Sequence, residues 1–424
     1  MIFVGTDRII KDILEEYVEN LQFLWERRCA ELQGQDMFPR SYADLEERVA
    51  ANADALILAG SDAVPLLTKG LGGDEAAVSL ASGYVLLSMG DEKAAHLVLE
   101  GFNKASGPCL EGLIRALSYG SIEQIATGLQ EAAVSGPVLQ ASAAAEVLAF
   151  HNKGDYAAGR INEFLACDEA SVRRRAWRVV ALLDGLSSAP RGRIPINPDA
   201  YEQGVRDEDQ AVRVQVLEAA AWTRQPWLLD YCRCMAFDPS PDRLPAIRLL
   251  AILGEPADLD LILTAGRTAS LGLARFDVLT SMGHPAVLET LLEAIKSEDP
   301  SVAVMAGSSY SRITGADVES EKRVRLPPAD GLQPDEFEVE FLEEAALPDR
   351  DKAGAHWASV REVFMRGVRW RRGIDMSRVT LPHLPDPIDN RARWETFLRA
   401  RFRGLWQGSI ADRERFPLQK SEGI

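Results

Sequence analysis

Glycine closes a helix-length run of small and apolar residues at Gly90, Gly120, Gly185, Gly254, Gly283 and Gly315. Two of these runs, VSLASGYVLLSMG and LGLARFDVLTSMG, end in the same Ser-Met-Gly. The gaps between the glycines are 30, 65, 69, 29 and 32 residues, so each long gap holds two units. Asn152 in HNKGD and the run Arg224-Gln225-Pro226 supply the intervening turns. A period of this size marks stacked helix pairs, because one unit cannot bury its own apolar face and its neighbour covers it. The expected fold is therefore all-α, a right-handed α-solenoid. Each unit has a first helix ending at the anchor and a shorter second helix, as in EKAAHLVLEGF, SIEQIATGLQEA and PAVLETLLEAI. The glycines themselves are expected only to turn the chain.

Three regions follow from where the period starts and stops. Residues 1–60 read as an N-terminal helical cap. Its first helix, 7–32, repeats Ile10, Leu14, Tyr17, Leu21, Leu24 and Trp25 at three- and four-residue steps, and Gly34 and Pro39 end it. Ser41 is expected to cap the second helix, with Asp44 at its third position; Leu45, Val49, Asn52, Leu56 and Ala59 share a face and Gly60 stops it. Residues 61–316 form the repeat array, in which small residues such as Ala141 to Ala145 let helices approach closely. The stretch SSAPRGRIPINPD, 187–199, interrupts it as a loop. Residues 317–424 are a small non-repeat region. There 318–334 reads as a linker, and DEFEVEFLEE, 335–344, alternates acid with Phe337, Val339 and Phe341 as a strand does. A helix from Asp351 to Arg366 carries Trp357, Val360 and Phe364. VRWRRG at 368–373 is an extended segment or turn. A last helix, Asp389 to Leu405, carries Trp394, Phe397 and Leu398, and the polar tail after Gly408 frays.

Charge narrows the partners. Asp and Glu number 64 against 47 Lys and Arg, a formal charge of -17, which repels nucleic acid and membrane phosphates and attracts basic proteins. The candidate partner-binding groups are the acids of the alternating segment: Asp335, Glu336, Glu338, Glu340, Glu343 and Glu344. From 350 to 403 the balance inverts, with thirteen Lys and Arg against six acids and interleaved aromatic residues. Docking of the acidic strand on this basic end is the simpler reading. Recognition of an acidic protein and of single-stranded nucleic acid are the alternatives. The five cysteines are scattered and define no disulfide framework, which points to a reducing compartment, the cytoplasm. Neither a signal peptide nor a membrane span is expected.

No constellation for catalysis emerges. His96, His151, His284, His356 and His383 lack metal-ligand spacing, and Cys232-x-Cys234 has no second pair. Gly70-Leu71-Gly72-Gly73 is a helix–helix turn rather than a phosphate cradle, and GxSxG is missing. No catalytic residue, cofactor or metal is expected, and the chain reads as a non-catalytic protein-binding scaffold.

Three units open with an acid followed by Val: DEASVRRRAW at 168, DEDQAVRVQV at 207 and EDPSVAVMAG at 298. In two of them an Arg follows, Arg173 and Arg213. This opening resembles HEAT-like repeats, and the resemblance implies that the Arg pairs with an acid of a neighbouring unit. A second resemblance spans nearly the whole chain. Leu24-Trp25-x-x-Arg28 and Tyr42-x-Asp44-Leu45-x-x-Arg48-x-x-Ala51-x-x-Asp54-x-Leu56-x-x-Ala59-Gly60, with Trp357 and Gly367-x-Arg369-Trp370-x-x-Gly373, are similar to a bacterial HEAT-like repeat family of type VI secretion gene clusters. Asn52 stands where the family pattern has His, and Ala55 where it has Gly. The resemblance implies structural roles for Trp25, Arg28, Asp44, Arg48, Asp54, Trp357, Arg369 and Trp370. It also implies a protein partner: a secreted effector toxin neutralised by an immunity protein. The alternatives are an adaptor or chaperone that loads an effector onto the secretion spike and, behind both, a repeat-type lyase.

Overall fold

First helices of successive repeats meet one another within each of two groups in the computed structural model, which describes residues 6–34, 37–156, 158–185, 196–328, 338–342, 344–366 and 368–408. These residues are mostly helical, with twenty α-helices and two short antiparallel sheets. They group into two units: Met1–Gln225 with Asp389–Trp394 and Gly404–Ile424, and Pro226–Ile388 with Glu395–Arg403. The division falls inside the stretch of repeats. No single helix among the described residues is long and apolar enough to cross a membrane.

In the first unit the helices Thr6–Gln33 and Pro39–Ala59 pack together. Leu21, Leu24 and Trp25 of one and Leu45, Val49 and Leu56 of the other join the core of the following repeats. Ser41 is not the cap of the second helix. The helix begins two residues earlier at Pro39, and Phe38 precedes it without a side-chain hydrogen bond. Proline suits that place because the first helical N–H has no intrahelical partner to lose. The first helices Ala76–Ser88, Gly107–Tyr119, Val138–Phe150, Ala170–Gly185 and Gln210–Trp222 then pack in chain order. The intervening Val64–Gly70, Glu92–Lys104 and Ala126–Ser135 pack on one another likewise. The second unit repeats the pattern with Arg243–Leu253, Ala274–Met282 and Pro300–Thr314 as first helices. Of the 187–199 stretch, the part before Ile196 lies outside the described residues; beyond it, the Asn197 N–H donates to Asn162 Oδ1 at 2.9 Å.

The anchor glycines serve two different needs. Gly90, Gly283 and Gly315 take φ of 68°, 60° and 76°, the left-handed region that side chains avoid. Gly120 and Gly254 are extended, with φ of -85° and -60°, and are held to glycine by crowding instead. A Cβ on Gly120 would lie 2.8 Å from Leu87 Cδ1, and one on Gly254 2.4 Å from the Leu250 carbonyl oxygen. In the long gaps Asn152 and Arg224 take the left-handed place, at φ 58° and 57°. The next N–H groups reach back five residues, Lys153 to Leu148 O at 2.8 Å and Gln225 to Ala220 O at 2.9 Å, a Schellman closure in both.

The C-terminal region departs from the sequence expectation in two places. The expected linker contains a strand, Glu319–Arg325, paired antiparallel with Glu344–Pro348. Of the expected acidic strand, Glu338–Phe341 is a short 3-10 helix, and among the described residues only Glu344 lies in a strand. Alternation alone does not make a strand. Glu344–Pro348 has a helix to cover it, Pro300–Thr314, where Gly307 leaves room: a Cβ there would lie 2.7 Å from Pro348 Cβ. The helix Arg350–Phe364 follows, its first N–H groups capped by Asp349. Next is a hairpin, Trp370–Arg371 with Ile374–Asp375, turned by Arg372 and Gly373 at φ 50° and 76° as a two-residue hairpin requires. The last helix is Asn390–Phe402. The tail after Ser409 lies outside the described residues.

Candidate partner-binding surface

The arginines of the acid–Val–Arg openings face inward to the loops. Arg173 forks onto Asp207 of the next unit, Nε to Oδ2 at 2.7 Å and Nη2 to Oδ1 at 2.8 Å. Its Nη1 donates to the Cys167 and Asp168 carbonyls at 2.8 and 2.7 Å. Arg213 continues the row by donating to the Asp207 and Glu208 carbonyls at 2.6 and 3.0 Å. In the second unit Arg233 forks onto Asp258 in the same way, at 2.7 and 3.1 Å. These pairs fix loop against loop in a geometry that a guanidinium matches and an ammonium does not.

Burial alone would push the Asp207 carboxyl up, but the hydrogen bonds from Arg173 and the Asp209 N–H, with the charge of Arg173 and Arg213, hold it below the usual range. A carboxyl lowered in the folded state stabilises fully above its unfolded value of about 4, and that stability is lost as pH falls through the lower folded value. Asp207→Asn is therefore expected to cost about 2 kcal/mol at neutral pH, a difference that shrinks as pH falls below the unfolded value of about 4. Denaturant unfolding as a function of pH checks this, because the gap between the two proteins must narrow on the acid side.

With Arg173 and Arg213 turned inward, the neighbouring carboxylates reach solvent, Glu208 keeping an outer contact to Arg173 at 3.7 Å. Asp74, Glu75, Asp168, Glu169 and Glu208 are all exposed at helix starts. The tight Gly70–Gly73 turn places the first two: a Cβ on Gly70 would lie 2.0 Å from Ser82 Oγ, and one on Gly73 2.8 Å from Val78 Cγ1. Below them a groove of about 430 Å³ runs between the cap and the first repeats. Trp25 and Leu80 line it, Glu26, Asp74 and Glu75 bring carboxylates, and Arg115 lies 3.8 Å from Cys29 Sγ. A second groove of about 570 Å³ shares Asp74 and Pro108 with it and adds Glu100, Lys104 and Cys109. Nothing local in the sequence marks this place, because Asp74 and Glu75 carry no motif and their neighbours come from three separate helices.

The motif residues divide between core and surface. Trp25 is buried, stacked on Tyr119 at 5.5 Å and edge-on to Tyr84 at 5.2 Å. Arg28 is 0% exposed, with its guanidinium 5.0, 5.4 and 4.8 Å from the Trp25, Tyr42 and Tyr119 rings and its Nε 2.6 Å from Glu46. Burial pushes the Tyr42 and Tyr84 phenols up, so the rings stay neutral beside the cation. Asp44, Arg48 and Asp54 are exposed, and Asn52 caps back onto the Arg48 carbonyl at 2.8 Å. Trp357 is buried, with its indole N–H 3.0 Å from Glu289. Arg369 is buried and donates to the Ser281 and Ala251 carbonyls at 2.6 and 3.0 Å, satisfying the ends of two repeat helices. Trp370 stacks on Phe364 at 4.2 Å, and its backbone N–H donates to the Gly283 carbonyl at 2.8 Å.

The expected docking of the acidic segment on the basic end falls mostly outside the described residues. Asp335, Glu336 and Glu343 lie outside the described residues, as does the Glu338 side chain. Glu340 is exposed, and Glu344 pairs across the sheet with Arg325 at 3.5 Å. Arg369 and Arg403 of the basic end are seated on helix ends, where the carbonyl dipoles supply negative potential. Glu395 is a buried carboxylate of this end, 2.6 Å from Arg371 and 2.7 Å from Ser281 Oγ. Among the described residues no three His, Cys, Asp or Glu side chains gather as metal ligands. No protein-family model matches the chain, and no curated protein is similar to it in sequence.

Proposed function

We propose that each unit's helix stack is a right-handed HEAT-like α-solenoid segment, and that the protein is a non-catalytic scaffold that binds a basic protein. The observation that carries this reading is the acid-rimmed groove of Glu26, Asp74 and Glu75, lying over Trp25 and Leu80. Carboxylates at the rim steer a basic partner, and the apolar floor receives its anchor. The further exposed acids Asp168, Glu169 and Glu208 extend the same sign of charge along the repeats. Together with the resemblance to proteins of type VI secretion clusters, this supports an immunity protein that neutralises a cognate effector toxin in the cytoplasm. Co-expression of the chain with the product of the adjacent effector gene tests it. Growth rescue and a co-purifying complex are expected. Lys at Glu26, Asp74 and Glu75 together is expected to slow association by ~10-fold or more at low salt, with melting unchanged. A complex without rescue would replace immunity with the adaptor role, and no complex would end the reading.

A further inference from the structure

Four arginines converge in the second unit around a single carboxylate. Arg371 takes one oxygen of Glu395 and the Ser281 hydroxyl takes the other. Arg369 is satisfied by carbonyls, and Arg403 reaches the Gly254 carbonyl at 3.5 Å. The Arg399 guanidinium has neither a hydrogen bond nor an ion pair among the described residues. It stands one helical turn from both Glu395 and Arg403, on the same face of Asn390–Phe402, and the Arg403 N–H bonds its carbonyl at 3.0 Å. Burial, and the like charges of Arg403 and Arg371, push Arg399 down to about 10. Burial and the like charges of Arg399, Arg371 and Arg403 press Arg369 down too, with Glu395 alone opposing. Helix-end carbonyls attract such charges, but each contributes a partial charge only. Positive charge therefore exceeds its neutralisation here, and the free guanidinium is the one on the half-exposed side.

We propose that Arg399, Arg403 and Arg371 form a binding site for a phosphate-type oxyanion. Guanidinium forks match the oxygens of such a group in pairs, and a second negative charge balances what Glu395 leaves over. The site is independent of the partner-binding groove and stands or falls apart from it.

The probe is inorganic phosphate, titrated into the full chain by calorimetry and followed by melting temperature. Chloride and acetate at matched ionic strength are the controls. One phosphate is expected to bind, with a saturable rise in melting temperature that neither control gives. Arg399→Gln is expected to weaken that binding by roughly tenfold or more, the loss of one charged hydrogen-bonding partner. Without phosphate the same variant is expected to melt no lower than the parent, because it removes a repelled charge. Arg403→Gln, at an exposed position, is the second variant and is expected to weaken binding in the same sense. The site is overturned if phosphate acts no differently from chloride, if acetate binds as well as phosphate, or if both variants bind phosphate like the parent.

Discussion

Replacing Arg28 with alanine is expected to cost about 3 kcal/mol, near the lower end for breaking a buried ion pair. Three aromatic rings surround the guanidinium, and no part of the side chain reaches solvent. A desolvated cation over rings contributes about 2 kcal/mol, and truncation adds the cavity left among Trp25, Tyr42 and Tyr119. Glu46 is half-buried and regains water once Arg28 is gone, which keeps the cost from rising further. Arg28→Lys is expected to fall between, since an ammonium keeps the charge but not the flat stacking surface. Arg28→Met separates packing from charge. If Met proves as stable as Arg in denaturant unfolding, the cage needs volume rather than a cation.

Gly283→Ala and Gly90→Ala should differ although both glycines are left-handed, at φ 60° and 68°. Around Gly90 nothing lies within 4 Å of a new Cβ, so only the backbone penalty of about 1–2 kcal/mol applies. At Gly283 the Cβ would sit 2.6 Å from the Trp370 carbonyl oxygen. That atom is backbone, and its hairpin is tied down by Trp370 N to Gly283 O, Arg372 N to Arg312 O and Gly373 N to Ile313 O, at 2.8, 2.7 and 3.0 Å. Gly283→Ala is therefore expected to cost about 3 kcal/mol or more, combining that penalty with forced displacement of packed structure. Hydrogen exchange should show the Trp370–Asp375 amides opening in this variant and staying protected in Gly90→Ala. Equal losses in both would mean that the hairpin is not seated on this turn.

Most helices were legible because their cause is local. Apolar residues at three- and four-residue steps define a buried face wherever the neighbour stands, and turn chemistry at Asn152 and Arg224 follows from short-range closure. The pairing of Arg173 with Asp207 of the next unit is what the resemblance of its opening to HEAT-like repeats implied. Ser41 misled because its cap chemistry is real in the sequence, yet Pro39 starts the helix earlier at no hydrogen-bonding cost.

The candidate site was illegible, since a groove is a property of juxtaposition. Glu26, Asp74, Glu75 and Arg115 are ordinary surface letters until folding sets them around Trp25 and Leu80. The strands failed as expectations for the same reason: Glu338–Phe341 alternates but curls into a turn of helix, while Glu344–Pro348 finds both a partner strand and a covering helix. The sequence by itself determined the helical repeat, its period and the sign of the surface charge, because hydrophobic periodicity and ionisation belong to residues and near neighbours. Long-range contacts decide that Gly283 and Gly315 receive a hairpin, that Arg369 and Arg403 sit on helix carbonyls, and that Arg399 has no counterion among the described residues. Those outcomes depend on which distant surfaces meet, and burial sets their energies only after they have met.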